Sequence, residues 1–307
     1  MTDGFHSVCY DVVTLGETMV HLVPEGNRLA EANYLHVGVG GAESNTACFL
    51  AAAGHRVAWV SAVGDDPLGM RVLKEIASYG VDTAYVNING HSPTGVYFKD
   101  PTPESTEVYY YRNESAASLL DMTTVHWPDP KKVRVHHHSG VTLALSEGCR
   151  NMVYEATVAA KEAKNIVSFD VNYRPRLWGI EDAAPVLLAH AALCDIVFVG
   201  LDEANILWGC QTPEEVRDLL SYPELVIKDG SIGATAFTDT GKYFVPAYRV
   251  EVVEPVGAGD AFAAGYLHAM LNAEAPECRL ITGHTFARTA LRSFNDIPPL
   301  NLMPTTL

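Results

Sequence analysis

The run Val252-Val253-Glu254-Pro255-Val256-Gly257-Ala258-Gly259-Asp260-Ala261-Phe262 leads from β-branched residues through two glycines into an apolar stretch predicted to be helical over 261–271. Glycine lets a backbone approach a phosphate closely. The unpaired amides and the dipole at a helix start attract negative charge. Asp260 falls in the first turn of that helix. A carboxylate there does not hold phosphate, but it can take the proton from a hydroxyl that attacks a phosphate bound beside it. The same position also suits a residue that caps the helix, and the run by itself leaves both readings open.

Two other runs invite chemistry without supporting it. His136-His137-His138 is predicted on a strand, where neighbouring side chains point to opposite faces, so the three do not converge on one ion. Gly38-Val39-Gly40-Gly41 lacks the spacing and the leading strand of a dinucleotide fingerprint.

The elements that must position such residues are legible in the hydrophobic pattern. Short β-branched runs at 12–15, 57–63, 133–138, 167–170, 196–199 and 225–228 alternate with helical periodicities. That alternation predicts an α/β fold with a central, mostly parallel sheet and helices on both faces. Asp66 and Pro67 stand as N-cap and first helical residue, and Gly80 closes the same helix after Tyr79. Gly54 closes the helix predicted at 42–53. Residues 234–253 read as antiparallel strands at the far edge, with Thr240-Gly241 as the turn. Two stretches, roughly 17–39 and 92–113, break the alternation and are expected to form a small β-rich lid. With no repeat and no linker composition, residues 1–307 are expected to be one domain carrying that lid.

Composition narrows the partners. Aspartate and glutamate outnumber lysine and arginine 37 to 21, a formal net charge of -16. Nucleic acid is therefore not an expected partner, because phosphate contacts need clustered cations. An anionic substrate needs positive charge placed locally. No apolar run approaches a membrane span. Six cysteines without a C-x-x-C pair read as reduced thiols, and a cytoplasmic location is expected.

Several separated motifs carry a family resemblance. Gly40-Gly41-Ala42-Glu43-Ser44-Asn45, Ala53-Gly54-His55-Arg56-Val57 and Val63-Gly64-Asp65-Asp66-Pro67-Leu68-Gly69 precede the glycine turn in the order expected for PfkB, or ribokinase-like, carbohydrate kinases. The resemblance runs from about residue 12 to 296. It implies a ribokinase-like fold, ATP and Mg2+ as cofactors, and a catalytic turn of Gly257, Ala258 and Gly259 ending in Asp260 as the general base. It also implies nucleotide binding by Gly257, Gly259 and the loop Lys228-Asp229-Gly230-Ser231-Ile232-Gly233, through Lys228, Gly230 and Gly233, with His284 near the adenine. Glu203 matches a glutamate that acts near magnesium through water, with Gly200 where an asparagine is usual.

Within that family, Val108-Tyr109-Tyr110-Tyr111-Arg112-Asn113-Glu114-Ser115-Ala116-Ala117-Ser118 and Phe169-Asp170-Val171-Asn172-Tyr173-Arg174-Pro175-Arg176-Leu177-Trp178 are similar to 2-keto-3-deoxygluconate kinases. The similarity implies sugar contacts from Gly41, Asn45, Tyr97, Tyr110, Arg112, Arg174 and Asp296, besides Asp260. Paired guanidinium donors suit a sugar carboxylate. His21 stands where ribokinases carry a sugar-gripping aspartate, which argues against ribose. The expected activity is ATP-dependent phosphorylation of the terminal hydroxyl of 2-keto-3-deoxygluconate. A fructokinase or another sugar kinase is the alternative within enzymes, and a non-catalytic ligand-binding regulator the alternative outside them. Glu254-Pro255 differs from the Asp-Thr of the ribokinase monovalent-cation loop, leaving K+ dependence open. The tail after Asp296 is too short and proline-rich for a further long helix. A homo-oligomer is expected from exposed strand edges in the lid.

Overall fold

The computed structural model describes residues 9–303 except 27, 103–105 and 222–223. The chain opens with strands β1 (Tyr10–Leu15), β2 (Met19–Pro24) and β3 (Leu35–Gly40), then α1 (Ala42–Ala52), β4 (Val57–Gly64) and α2 (Pro67–Ser78). Strands β5 (Val86–Asn89), β6 (Val96–Pro101), β7 (Thr106–Tyr111) and β8 (Val133–Ser139) follow, with α3 (Gly140–Leu145) and α4 (Glu147–Glu162). Next come β9 (Ile166–Asp170), α5 (Ile180–Ala191), β10 (Ile196–Gly200), α6 (Leu201–Trp208) and α7 (Pro213–Leu219). The last elements are β11 (Glu224–Asp229), β12 (Gly233–Thr238), β13 (Gly241–Pro246), α8 (Ala258–Leu271) and α9 (Pro276–Leu291).

Nine strands form one sheet in the order β13-β12-β11-β10-β9-β8-β1-β4-β5. Pairing is parallel from β11 through to β5 and antiparallel only in the β11-β12-β13 edge. Both faces of the parallel part are covered, so its strands are apolar on both sides. Val12, Trp59, Phe198 and Val226 face one cluster with Phe49, Tyr266 and Phe286 of α1, α8 and α9. Val13, Val60, Phe169 and Val197 face the other with Met152, Leu187 and Val216 of α4, α5 and α7. The α/β architecture expected from the pattern, a mostly parallel sheet with helices on both faces, is what the chain adopts.

The stretches that broke the alternation supply a second sheet, ordered β3-β2-β6-β7. Its entry is fastened by Asp66, whose side chain caps α2 at Leu68 and Gly69 N and also accepts from Thr94 N at 2.8 Å. Pro67 begins α2, and Gly80 follows it at φ 91°.

Two edge expectations need correction. β13 stops at Pro246 because its partner β12 begins at Gly233, and residues 247–253 form no strand. The hairpin turn is Asp239-Thr240, one residue earlier than expected, since Thr238 pairs with Gly241. Cys48, Cys149, Cys194, Cys210 and Cys278 are free thiols. Among the described residues, no helix is long and apolar enough to cross a membrane.

Candidate active site

A cleft of about 1130 Å³ opens at the carboxyl ends of the parallel strands, where open α/β sheets bind ligands. Every site residue expected from the sequence lines it: Gly41, Asn45, Tyr97, Tyr110, Arg112 and Arg174 toward one end, with Asp296. Gly257, Ala258, Gly259 and Asp260 lie on its wall, as do Lys228, Gly230, Gly233, Glu203 and His284.

Gly257 is the N-cap of α8 at φ 86°, a left-handed conformation that favours glycine, and a Cβ there would stand 2.8 Å from the Asp296 carbonyl oxygen. Helix α8 begins at Ala258, three residues earlier than its apolar pattern suggested. Asp260 therefore sits inside the first turn, and no side-chain hydrogen bond caps the helix. Its Oδ2 instead accepts from Asn45 Nδ2 at 2.8 Å. Burial pushes the Asp260 carboxyl up to about 7; Asp170 adds to the rise, while the Asn45 hydrogen bond, Arg174 and Lys228 oppose it. A base of that strength suits proton transfer near neutrality.

Charged groups stand beside the glycine turn. Lys228, near the end of β11, places Nζ 2.7 Å from Asp170 Oδ2 at the end of β9. Burial disfavours the ammonium, yet Asp170 and Glu203 hold Lys228 above the ordinary lysine range, so it stays charged. A Cβ on Gly259 would lie 3.4 Å from Lys228 Nζ, which puts the ammonium beside the glycine turn. Glu203 Oε2 accepts from Gly200 N at 2.9 Å, its Oε1 is 3.6 Å from Arg174 Nη1, and burial raises its carboxyl. His284 Nε2 is 3.1 Å from the Val245 carbonyl and packs edge-on to Phe262 and Tyr248. It is held neutral by burial, a wall of the cleft with no charge of its own.

At the other end, the predicted groups are present but already engaged. Arg112 is ion-paired with Glu17, which also accepts from the Ser115 hydroxyl. Its guanidinium lies over the Tyr110 ring at 5.5 Å. Asp296 accepts from Tyr97 Oη at 2.7 Å and from Lys99 Nζ at 2.6 Å. Gly41 leaves no room for a side chain, because a Cβ would collide with the Glu17 carbonyl. His21 does not line the cleft; its Nδ1 is 3.1 Å from Tyr97 Oη, and burial brings it down to about 4.

Sequence reasoning missed Asp170, Glu17, Lys99, Tyr248 and Arg288. Asp170 had a signal, an acid at the carboxyl end of an apolar parallel strand. Arg288, 4.9 Å from the Tyr248 ring at the His284 end, had none. The histidine run behaves as its alternation implies: His137 Nδ1 meets Ser168 Oγ at 3.0 Å, His138 Nε2 meets His190 Nε2 at 2.7 Å, and His136 lies against Trp127. His138, His190 and Cys194 bring ligand atoms within 4.8 Å of one another, but the two imidazoles satisfy each other.

Residues 10–302 match the profile described as pfkB family carbohydrate kinase. The chain is 38% identical over 273 residues to the 2-dehydro-3-deoxygluconokinase of Bacillus subtilis (strain 168), covering 85% of this chain and 83% of that protein. It is 32% identical over 264 residues to fructokinase-2 of Zea mays, covering 83% and 78%. Among solved structures, the 2-dehydro-3-deoxygluconokinase of Thermotoga maritima superimposes with a TM-score of 0.88 at 25% identity, over 98% of this chain and 97% of that one.

Proposed function

The chain belongs to the pfkB family of carbohydrate kinases and is an ATP-dependent sugar kinase, and from that premise we propose that it phosphorylates the terminal hydroxyl of 2-keto-3-deoxygluconate, with Asp260 as the base. The observation that carries the proposal is the placing of Asp260. It stands at the head of α8, turned away from capping and held by Asn45 on the wall of the one cleft that both groups of residues share. In this reading the amides of the Gly257-Ala258-Gly259 turn hold the phosphate being transferred. Asp260 takes the proton of the sugar hydroxyl as it attacks. Lys228, kept charged by Asp170 and standing beside the turn, balances charge on the phosphate oxygens.

The rest of the cleft divides accordingly. Gly230, Gly233 and His284, with Tyr248 and Arg288, form the nucleotide end. Gly41, Asn45, Tyr97, Tyr110, Arg112, Arg174 and Asp296 form the sugar end, with the β3-β2-β6-β7 sheet as its lid. Glu203 and Asp170 suit a magnesium ion bound through water, since Asp170 Oδ1 is buried with no hydrogen-bond partner and both groups are hard oxygen donors. When bound, the ion neutralises charge on the β- and γ-phosphates.

Two cationic side chains from separate elements, Arg112 and Arg174, favour a sugar acid over a neutral sugar. One observation favours the second reading, a fructokinase: Glu17 already offsets the charge of Arg112. A regulator without turnover is set aside by the family. A coupled ADP-release assay over a panel of sugars and sugar acids tests the proposal; strong turnover confined to neutral hexoses overturns it.

A further inference from the structure

Lys99 is 0% exposed, an unusual position for a lysine. It sits on β6 of the small sheet, yet its Nζ reaches two carboxylates that belong to none of the four strands of that sheet. Asp296 Oδ1 is 2.6 Å away and Glu254 Oε2 is 3.4 Å away. Both acids lie beside the glycine turn. Glu254 is three residues before Gly257, and its Oε1 accepts from Val256 N at 3.1 Å, fixing the backbone that enters the turn. The Asp296 carbonyl packs against Gly257, and Val253 N donates to the Leu291 carbonyl at 2.8 Å. The segments before α8 and after α9 thus meet at this point, each bringing an acid.

Two buried carboxylates side by side repel unless a cation stands between them. His21 does not serve, because burial keeps it neutral despite the pull of Asp296. Burial tends to raise the Asp296 carboxyl, but the Lys99 charge, with hydrogen bonds from Lys99 and Tyr97, brings it below the usual range. The cation on this spot is therefore the lysine itself. Both acids are buried as well, so the ammonium is closed off from solvent.

We propose that the Lys99 ammonium is a resident, covalently attached cation that sets the geometry of the Gly257 turn, so that turnover requires no added monovalent cation. Lys99 is a positioning residue, acting on phosphoryl transfer through Glu254 and Asp296. The proposal rests on the kinase activity of the family and not on which sugar is the acceptor.

The test compares the full-length wild type with Lys99→Met in potassium, ammonium, sodium and choline chlorides at constant ionic strength, following ADP release and thermal melting. The wild type should be equally active and equally stable in all four salts. Lys99→Met should be slower in choline by about tenfold or more, the scale of losing one organising charge at such a site. Potassium or ammonium should then raise both its rate and its melting temperature, as binding to the folded state must. Lys99→Gln serves the same comparison if the methionine variant does not fold. Potassium activation of the wild type overturns the proposal, and so does a folded variant that ignores the cation or runs at the wild-type rate in choline. Melting needs no sugar, so an error in the assigned substrate leaves that arm intact.

Discussion

Asn45 Nδ2 donates to Asp260 Oδ2 at 2.8 Å, joining the first turns of α1 and α8, two helices that start 216 residues apart in the chain, at 42 and 258. The Asn45 amide is itself oriented, because its Oδ1 accepts from Gly41 N at 3.3 Å. Thr46 adds a hydroxyl bond to the Asp260 carbonyl at 3.2 Å. The carboxylate is held from the side and left open toward the cleft, as a base requires.

Replacing Asp260 by asparagine should lower kcat by ~10²–10⁴, the usual worth of a general base. Nucleotide affinity, measured by calorimetry, should stay close to that of the wild type. Normal turnover in this variant would refute the assignment.

The Asn45 bond has a signed consequence for pH dependence. Asp260 acts when deprotonated and is held at about 7, so the acid limb of kcat/KM should fall near neutrality. The amide donor stabilises the carboxylate form. Asn45→Leu removes it and should move that limb to higher pH, whereas an unmoved limb in the pH–rate profile would show that another group titrates there.

The two glycines of the turn should respond differently. A Cβ at Gly259 meets only Lys228 Nζ at 3.4 Å, so Gly259→Val should fold with near wild-type melting but lose activity by blocking the phosphate. At Gly257 the left-handed φ and the Asp296 carbonyl both resist a side chain, and Gly257→Val should also cost ~1–3 kcal/mol of stability. Paired melting and activity measurements separate these outcomes.

For Arg112 the ion pair complicates the simple truncation. Arg112→Leu alone leaves Glu17 buried and unopposed, a change that destabilises whatever the substrate. The cleaner comparison is Arg112→Leu with Glu17→Gln. That double variant should lose ~1.5–3 kcal/mol of binding for the keto acid, the worth of a charge-assisted bond, and little for fructose. Equal losses on both substrates would remove the carboxylate role.

Much of the fold was legible because its signals are local. The β-branched runs, the Asp66-Pro67 start of α2 and the glycine turn before Asp260 each reside in a few neighbouring residues, and each stands where its local chemistry places it. The cleft-lining residues were reached through motif resemblance, which carries residue identity but no partner. That is why Glu17 beside Arg112, Asp170 beside Lys228 and Lys99 beside Asp296 went unread. Each pair spans long stretches of chain, and a charge on a strand reads as solvent-facing until the packing is known. The strand expected over 247–253 failed for a related reason, since β propensity does not reveal that the neighbouring strand has ended.

The measurement that bears most directly on the proposed activity is kcat/KM with ATP for 2-keto-3-deoxygluconate and for fructose under identical conditions, with the phosphorylated carbon of each product located by NMR. The keto acid should be preferred by about tenfold or more, as one well-placed charged contact provides, and its product should be the 6-phosphate. Equal or better turnover of fructose, or phosphate on another carbon, would contradict the account.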